Sequence, residues 1–195
     1  MLQQIAVNFT DYLVRKNVAK QEDREIYIYG FEALFSTLVN TILVIISGII
    51  LGILKETIIY VIGFAILRVY CGGYHAKTHV GCVTYFGVLY FSSMALINYF
   101  PSQYSASFSV ASAILSYLFI LKFAPIEHKN RSFVGNEFAV FRKVARIIGF
   151  LEVCVITFIA FTQPHLAKVS LTLSVAVLSV VAVMVTALAV NKRKG

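Results

Sequence analysis

Apolar residues come in six long runs along this chain. They lie at Ala33 to Leu54, Thr57 to Arg68, about Cys82 to Phe100, about Ala106 to Leu121, Ile147 to Gln163, and Val169 to Val190. A helix needs about 20 apolar residues to cross the hydrocarbon core of a bilayer, with roughly 17–25 usual. Five runs are near that length, and the second meets Arg68 after only eleven residues. The pattern predicts an all-α, polytopic integral membrane protein with about six membrane helices, the second of them short or broken. Ahead of the runs, residues 1–32 are polar. There Ile5, Phe9, Tyr12 and Leu13 fall at i, i+4, i+7 and i+8, which predicts an amphipathic N-terminal helix. Such a helix lies on the membrane surface or caps the bundle. No repeat or linker divides the chain. It reads as one membrane domain, with an interfacial helix over 1–32, a bundle over 33–190 and a basic tail over 191–195.

Composition narrows the picture. Of 195 residues, 59% are hydrophobic and 13% charged, and the mean hydropathy is +0.82. A soluble domain has roughly 45–50% apolar and about 25% charged residues. A soluble fold of this size could not hide so much apolar surface, which excludes a cytosolic enzyme and a disordered tail. Three cysteines are too few for a disulfide scaffold. The net charge of +8 raises nucleic acid as a partner. With six spans and both termini on one side, however, fifteen of the 17 basic residues share that side, and only Lys55 and Lys168 lie opposite. That is the positive-inside bias. It predicts cytoplasmic termini, a membrane-lipid environment and no nucleic-acid partner.

The second run breaks off into Arg68-Val69-Tyr70-Cys71-Gly72-Gly73-Tyr74-His75-Ala76-Lys77-Thr78-His79-Val80-Gly81-Cys82. Ionisable groups at membrane depth are costly and tend to be functional, and glycine-interrupted segments are where membrane proteins build sites. Three readings fit these residues. In the first, Cys82 is a nucleophile and His75 its base. Seven residues of straight helix would separate them by about 10.5 Å, so the backbone must turn, and Gly72, Gly73 and Gly81 permit that. Cys82 would then open the third segment, where the helix dipole and an imidazolium favour a thiolate. Exposed backbone N–H groups there could form an oxyanion hole, and His79 is a rival base. In the second reading, Cys71, His75, His79 and Cys82 bind zinc, in a spacing that is not a usual zinc pattern. In the third, the stretch is a polar hairpin with cysteines as small packing residues.

These residues resemble the accessory gene regulator B (AgrB) family of bacterial membrane peptidases. The matching core is Arg68 through Cys82, read as R-x4-G-G-x-H-A-K-T-x3-C. A second match is Lys122-Phe123-Ala124-Pro125 followed by Glu127, Lys129 and Asn130. The resemblance implies a cysteine endopeptidase that removes the acidic C-terminal tail of a quorum-sensing propeptide through an acyl-enzyme. The peptide is then released as a thiolactone or lactone macrocycle. It implies Cys82 as nucleophile and His75 as base, with Arg68, Gly72, Gly73 and Lys77 supporting the site. The partner implied is a propeptide with an amphipathic leader and an acidic tail, handled by a homodimer in the bacterial cytoplasmic membrane. No cofactor and no metal are implied. The contrasting classes are a small peptide or solute transporter using the same polar motif, and a metal-binding membrane protein.

The stretch from Lys122 to Arg146 is predicted as a long cytoplasmic loop with six basic residues. Lys129, Arg131, Arg142 and Lys143 could hold an acidic substrate tail or anchor the loop at anionic headgroups. Glu152 lies inside the fifth run, where it could pair with Arg142, Arg146 or a site residue, or make a structural contact. Asn40 and Asn98 are polar residues within the first and third runs. Cys154 reads as a packing residue, and the serines from Ser107 to Ser116 suit close helix packing.

Overall fold

The structure, a computed structural model, describes residues 2–74, 76, 78–126 and 135–192. Seven helices account for most of them: α1 (Leu2–Arg15), α2 (Arg24–Ile50), α3 (Leu54–Cys71), α4 (His79–Tyr99), α5 (Ser102–Phe123), α6 (Glu137–Thr162) and α7 (Ala167–Lys192). Among the described residues the only β pairing is an isolated bridge between Gly72 and Ile126. The protein is an all-α polytopic membrane protein. Helices α2, α4, α5, α6 and α7 are each long and apolar enough to cross a bilayer.

Helix α3 carries Lys55, Glu56 and Arg68, yet it runs the same course. At its start Glu56 pairs with Lys168 near the beginning of α7, at 2.9 Å. Just past its end, the Tyr74 N–H donates to the Val183 carbonyl of α7, at 3.2 Å. Those two α7 positions are about 22 Å apart along a helix, so α3 lies antiparallel to α7 over most of the hydrocarbon depth. The second segment is short, as its sequence predicts, and unbroken. It begins at Leu54, passes through Arg68 and stops at Cys71. A helix satisfies its own backbone at membrane depth whatever its side chains carry. The chain departs from it at Gly72, where φ reaches +68°.

Several helices outrun their apolar runs. α2 starts at Arg24 rather than near Ala33, and α6 starts at Glu137, so the C-terminal part of the expected Lys122–Arg146 loop is helix. Polar ends continue a helix into water because the backbone bonds persist there, and hydropathy alone does not register them.

The core lies along α7, half of whose apolar window is buried against 22–28% in the other four. It packs on α5 through small residues. Ser105, Ser109, Ser112, Ala113 and Ser116 are buried on α5, and Ser170, Ser174 and Ala176 on α7. Lipid is as apolar as leucine, so close van der Waals approach does the work that water exclusion does elsewhere. Ser109 donates within its own helix to the Ser105 carbonyl at 2.6 Å, Ser170 reaches across to the Ile156 carbonyl of α6 at 3.2 Å, and Ser116 Oγ is buried without a partner among the described residues. α3, α4 and α7 are also cross-linked by polar contacts. Thr57 and Tyr90 share a hydrogen bond at 2.7 Å, and Ser93 contacts Tyr60 at 3.3 Å and Ser179 at 3.1 Å.

The amphipathic α1 packs against α2. Asp11 accepts from the Arg24 guanidinium at 2.7 Å, and Phe9 meets Phe31 edge-on with centroids 4.8 Å apart. Ile5, Phe9 and Tyr12 of the predicted stripe remain largely exposed.

Candidate active site

The motif that interrupts the second apolar run becomes a clamped turn between α3 and α4. Gly72 sits at φ +68°, ψ −159°, a region essentially reserved for glycine. Its backbone pairs in parallel with Ile126, and the Ile126 N–H donates to the Cys71 carbonyl at 2.9 Å. A Cβ on Gly72 would run into the Ile126 carbonyl. Gly73, at φ +129°, lies so close to α7 that a Cβ would sit 3.1 Å from the Val183 side chain. The Arg68 guanidinium reaches forward from the last turn of α3 and donates through Nη2 to the Tyr74 carbonyl at 2.9 Å. The turn is thus held by α3, by the segment after α5 and by α7. The Gly-Gly motif and the Lys-x-Ala-Pro segment, 50 residues apart in the chain, meet here.

The turn delivers the chain to α4. Thr78 caps that helix, its side-chain oxygen accepting from the Gly81 N–H at 3.1 Å, and the Cys82 N–H donates to the Thr78 carbonyl at 3.0 Å. Cys82 is therefore in the first turn of α4, but it does not open the helix as its spacing predicts, because α4 begins three residues earlier, at His79. The expected oxyanion hole is corrected in part, because the amides of Gly81 and Cys82 are already engaged in capping and helix bonds. The Cys82 thiol is half-buried. The Asn40 amide of α2 donates to its Sγ through Nδ2 at 3.7 Å. The Arg68 guanidinium has Cys71, Cys82 and Tyr85 within electrostatic reach. Tyr85, one turn beyond Cys82, bonds through its hydroxyl to Thr186 of α7 at 2.9 Å and packs on the Tyr74 ring at 5.2 Å. A thiol in this position has a donor, a nearby cation and limited access to bulk water.

Of the residues expected at the site, Arg68, Gly72, Gly73 and Cys82 gather here. His75 and Lys77 lie outside the described residues, as do Lys129 and Arg131, and the His79 side chain is likewise outside the description. Arg142 and Lys143 lie on the second turn of α6. That turn adjoins the end of α3, because Phe141 packs on Tyr70 at 5.6 Å. Arg142 does not project freely, since its guanidinium stacks over Phe138 at 5.6 Å and its Nε is buried without a hydrogen-bond partner among the described residues. Lys143 is exposed. Glu152 Oε2 is buried without a hydrogen-bond partner among the described residues. Arg146 instead donates to the Leu121 carbonyl of α5 at 3.0 Å. Cys71 is fully buried in the core, whereas Cys154, expected to pack inside, is exposed on α6.

Sequence reasoning singled out Asn40 only as a polar residue in an apolar run. Its cost in such a run is the one signal that could have tied it to the motif. Ile126, Val183 and Thr186 carry no such signal, because they contribute backbone atoms or a hydroxyl that becomes meaningful only once the helices pack.

No solved structure matches this chain. Two proteins of Clostridium perfringens that carry AgrB-like names are similar to it. One, from strain 13, is 30% identical over 118 residues, covering 56% of this chain and 54% of the relative. The other, from strain SM101, is 29% identical over 116 residues with the same coverage. The chain thus spans about half the length of the curated relatives it matches. The family model described as Accessory gene regulator B matches residues 6–187. That range takes in most of α1, all of α2 to α6 with the whole clamped turn, and most of α7, and on this match the chain belongs to the AgrB family.

Proposed function

We propose that this protein is a membrane-embedded cysteine endopeptidase that trims the C-terminal tail from a quorum-sensing propeptide at the cytoplasmic face of a bacterial membrane. Both termini lie on that face. Cys82 Sγ attacks the carbonyl of the scissile bond while its proton passes to His75. The C–N bond breaks and the tail leaves as an amine carrying that proton. The thioester left on Cys82 keeps the acyl group activated. A thiol or hydroxyl within the same peptide then displaces Cys82 and closes the macrocycle. Thiol exchange with a thioester is close to thermoneutral, whereas forming the first thioester from an amide is uphill, so release of the tail and product must draw the reaction forward. Restricted water around a half-buried thiol protects the intermediate.

The observation that carries this reading is the setting of Cys82. Among the three cysteines, and as far as the described residues reach, it alone stands in a helix's first turn next to a strapped glycine turn, with an N–H donor on its sulfur. Family membership supports it. Cys82→Ala and His75→Ala should each abolish cleavage of a cognate propeptide, by about a thousandfold or more, without loss of membrane insertion, and the double variant should be little worse than either. Cys154→Ser should retain activity. A Cys82-linked adduct should be released by neutral hydroxylamine. Processing by Cys82→Ala, or arrest by a chelator with rescue by zinc, would overturn the assignment.

A further inference from the structure

We propose that Asn40, on a helix remote from the motif, supplies the side-chain N–H that holds the reacting sulfur of Cys82 as a thiolate. The inference rests on the peptidase reading and adds to it a catalytic group 42 residues away in sequence.

Burying the Asn40 amide among apolar residues carries a cost. Asn40 is 8% exposed on α2, in a stretch otherwise made of apolar residues from Leu38 to Ile46 apart from Thr41. A buried amide must find partners or lose free energy. Its Nδ2 donates to Cys82 Sγ at 3.7 Å. A thiol sulfur is a weak acceptor, so as mere glue between α2 and α4 this contact returns little. A thiolate is a charged acceptor, and hydrogen bonds to charged groups are about twice as strong as neutral ones. The same geometry therefore favours the ionised sulfur over the neutral one, which is the differential that activates a nucleophile.

The alternatives at that end of α4 are already spent. The Gly81 amide is capped by the Thr78 side chain and the Cys82 amide by the Thr78 carbonyl. Arg68 of α3 adds its charge from a distance, while its guanidinium is tied to the Tyr74 carbonyl. Tyr85 on α4 is engaged with Thr186. Arg68, Cys71, Tyr74 and Tyr85 are the titratable or charged groups that the described contacts bring together around this turn, and changing Asn40 leaves all of them in place.

The test reads the sulfur directly. The full-length protein in nanodiscs is treated with iodoacetamide across a range of pH, and Cys82 modification is followed by peptide mass spectrometry. The S–C bond forms, iodide leaves and the thiol proton goes to buffer. Asn40→Leu removes the donor while suiting the apolar helix. Asn40→Asp keeps the shape and replaces the donor with an acceptor. Asn40→Leu should slow Cys82 alkylation at neutral pH about tenfold and move its pH profile upward, with the high-pH plateau unchanged. Propeptide cleavage should fall similarly in kcat with little change in KM, and Asn40→Asp should be at least as slow. An unmoved alkylation profile in folded Asn40→Leu would overturn the proposal and leave Asn40 as helix glue. Recovery in Asn40→Asp would also overturn it, because a carboxylate could orient a cationic base but not steady a thiolate. The peptidase reading stands or falls on cleavage by Cys82→Ala, so its failure is separate from a failure here.

Discussion

The two ends of the α3–α4–α7 layer are built on opposite plans. At the end where α3 begins, the half-exposed ammonium of Lys168 neutralises the carboxylate of Glu56. Lys168 binds Glu56 at 2.9 Å and the Asn98 side-chain oxygen at 2.9 Å, and the connections are short. One of the two basic residues that count against the positive-inside bias is thereby paired. A positive-φ glycine stands at both ends, but Gly52 has open space around it, whereas at the end where α3 stops Gly72 and Gly73 turn directly against Ile126 and Val183, and the charged groups there are imperfectly matched. Arg68 spends its guanidinium on a backbone carbonyl. Among the described residues, Arg142 Nε, Arg146 Nε and Glu152 Oε2 are buried without hydrogen-bond partners. A satisfied end is what stability alone selects, and strain and unmatched charge collect where a site is built.

The comparison breaks first at Gly72. Gly72→Ala forces a side chain into both a forbidden φ/ψ region and the Ile126 carbonyl. It should destabilise the protein by about 3 kcal/mol and abolish processing, as read by thermal unfolding in detergent and by cleavage. Gly87→Ala on α4 meets nothing within 4 Å and should be neutral or stabilising by up to about 1 kcal/mol. Equal effects at the two glycines would mean that the turn is not clamped as described.

A smaller effect is expected at the opposite end. Lys168→Met removes a half-exposed partner of Glu56. It should cost about 1 kcal/mol or less in thermal stability and leave cleavage unchanged. A loss of processing there would show that the two ends are coupled.

The smallest effect is confined to acid. The hydrogen bond from Arg24 holds the Asp11 carboxyl below its ordinary value of 3.8. A lowered carboxyl contributes stability that is fully present above the ordinary value and is lost as pH falls through the lowered one. A spin-label pair on α1 and α2 should therefore report tight packing at about pH 6 and loosening toward about pH 2. Asp11→Asn should remove that pH dependence.

Much of this was written in the order of residues. Runs of about 20 apolar residues specify membrane helices whatever their neighbours are, because the bilayer is a uniform solvent and a helix satisfies its own backbone. The serines on α5 announced close packing for the same local reason. The Gly-Gly turn and a helix N-terminus close to Cys82 were legible from glycine's conformational freedom and from spacing, although α4 begins three residues earlier, at His79. The polar helix ends were not, because a helix that leaves the membrane keeps its backbone bonds while its composition turns ordinary. That is why α6 reaches back to Glu137.

Packing alone decided which distant residues close the site. The Ile126 amide reaches the turn from the segment after α5, the Val183 carbonyl from α7 and the Asn40 side chain from α2. The sequence by itself determined the membrane class, the spans and the motif that holds Cys82, since each depends on local composition or backbone freedom. Tertiary structure determined what clamps that motif and what touches its sulfur. Those contacts run between helices 40 or more residues apart in the chain, and no periodicity along one helix records which face of another it will meet.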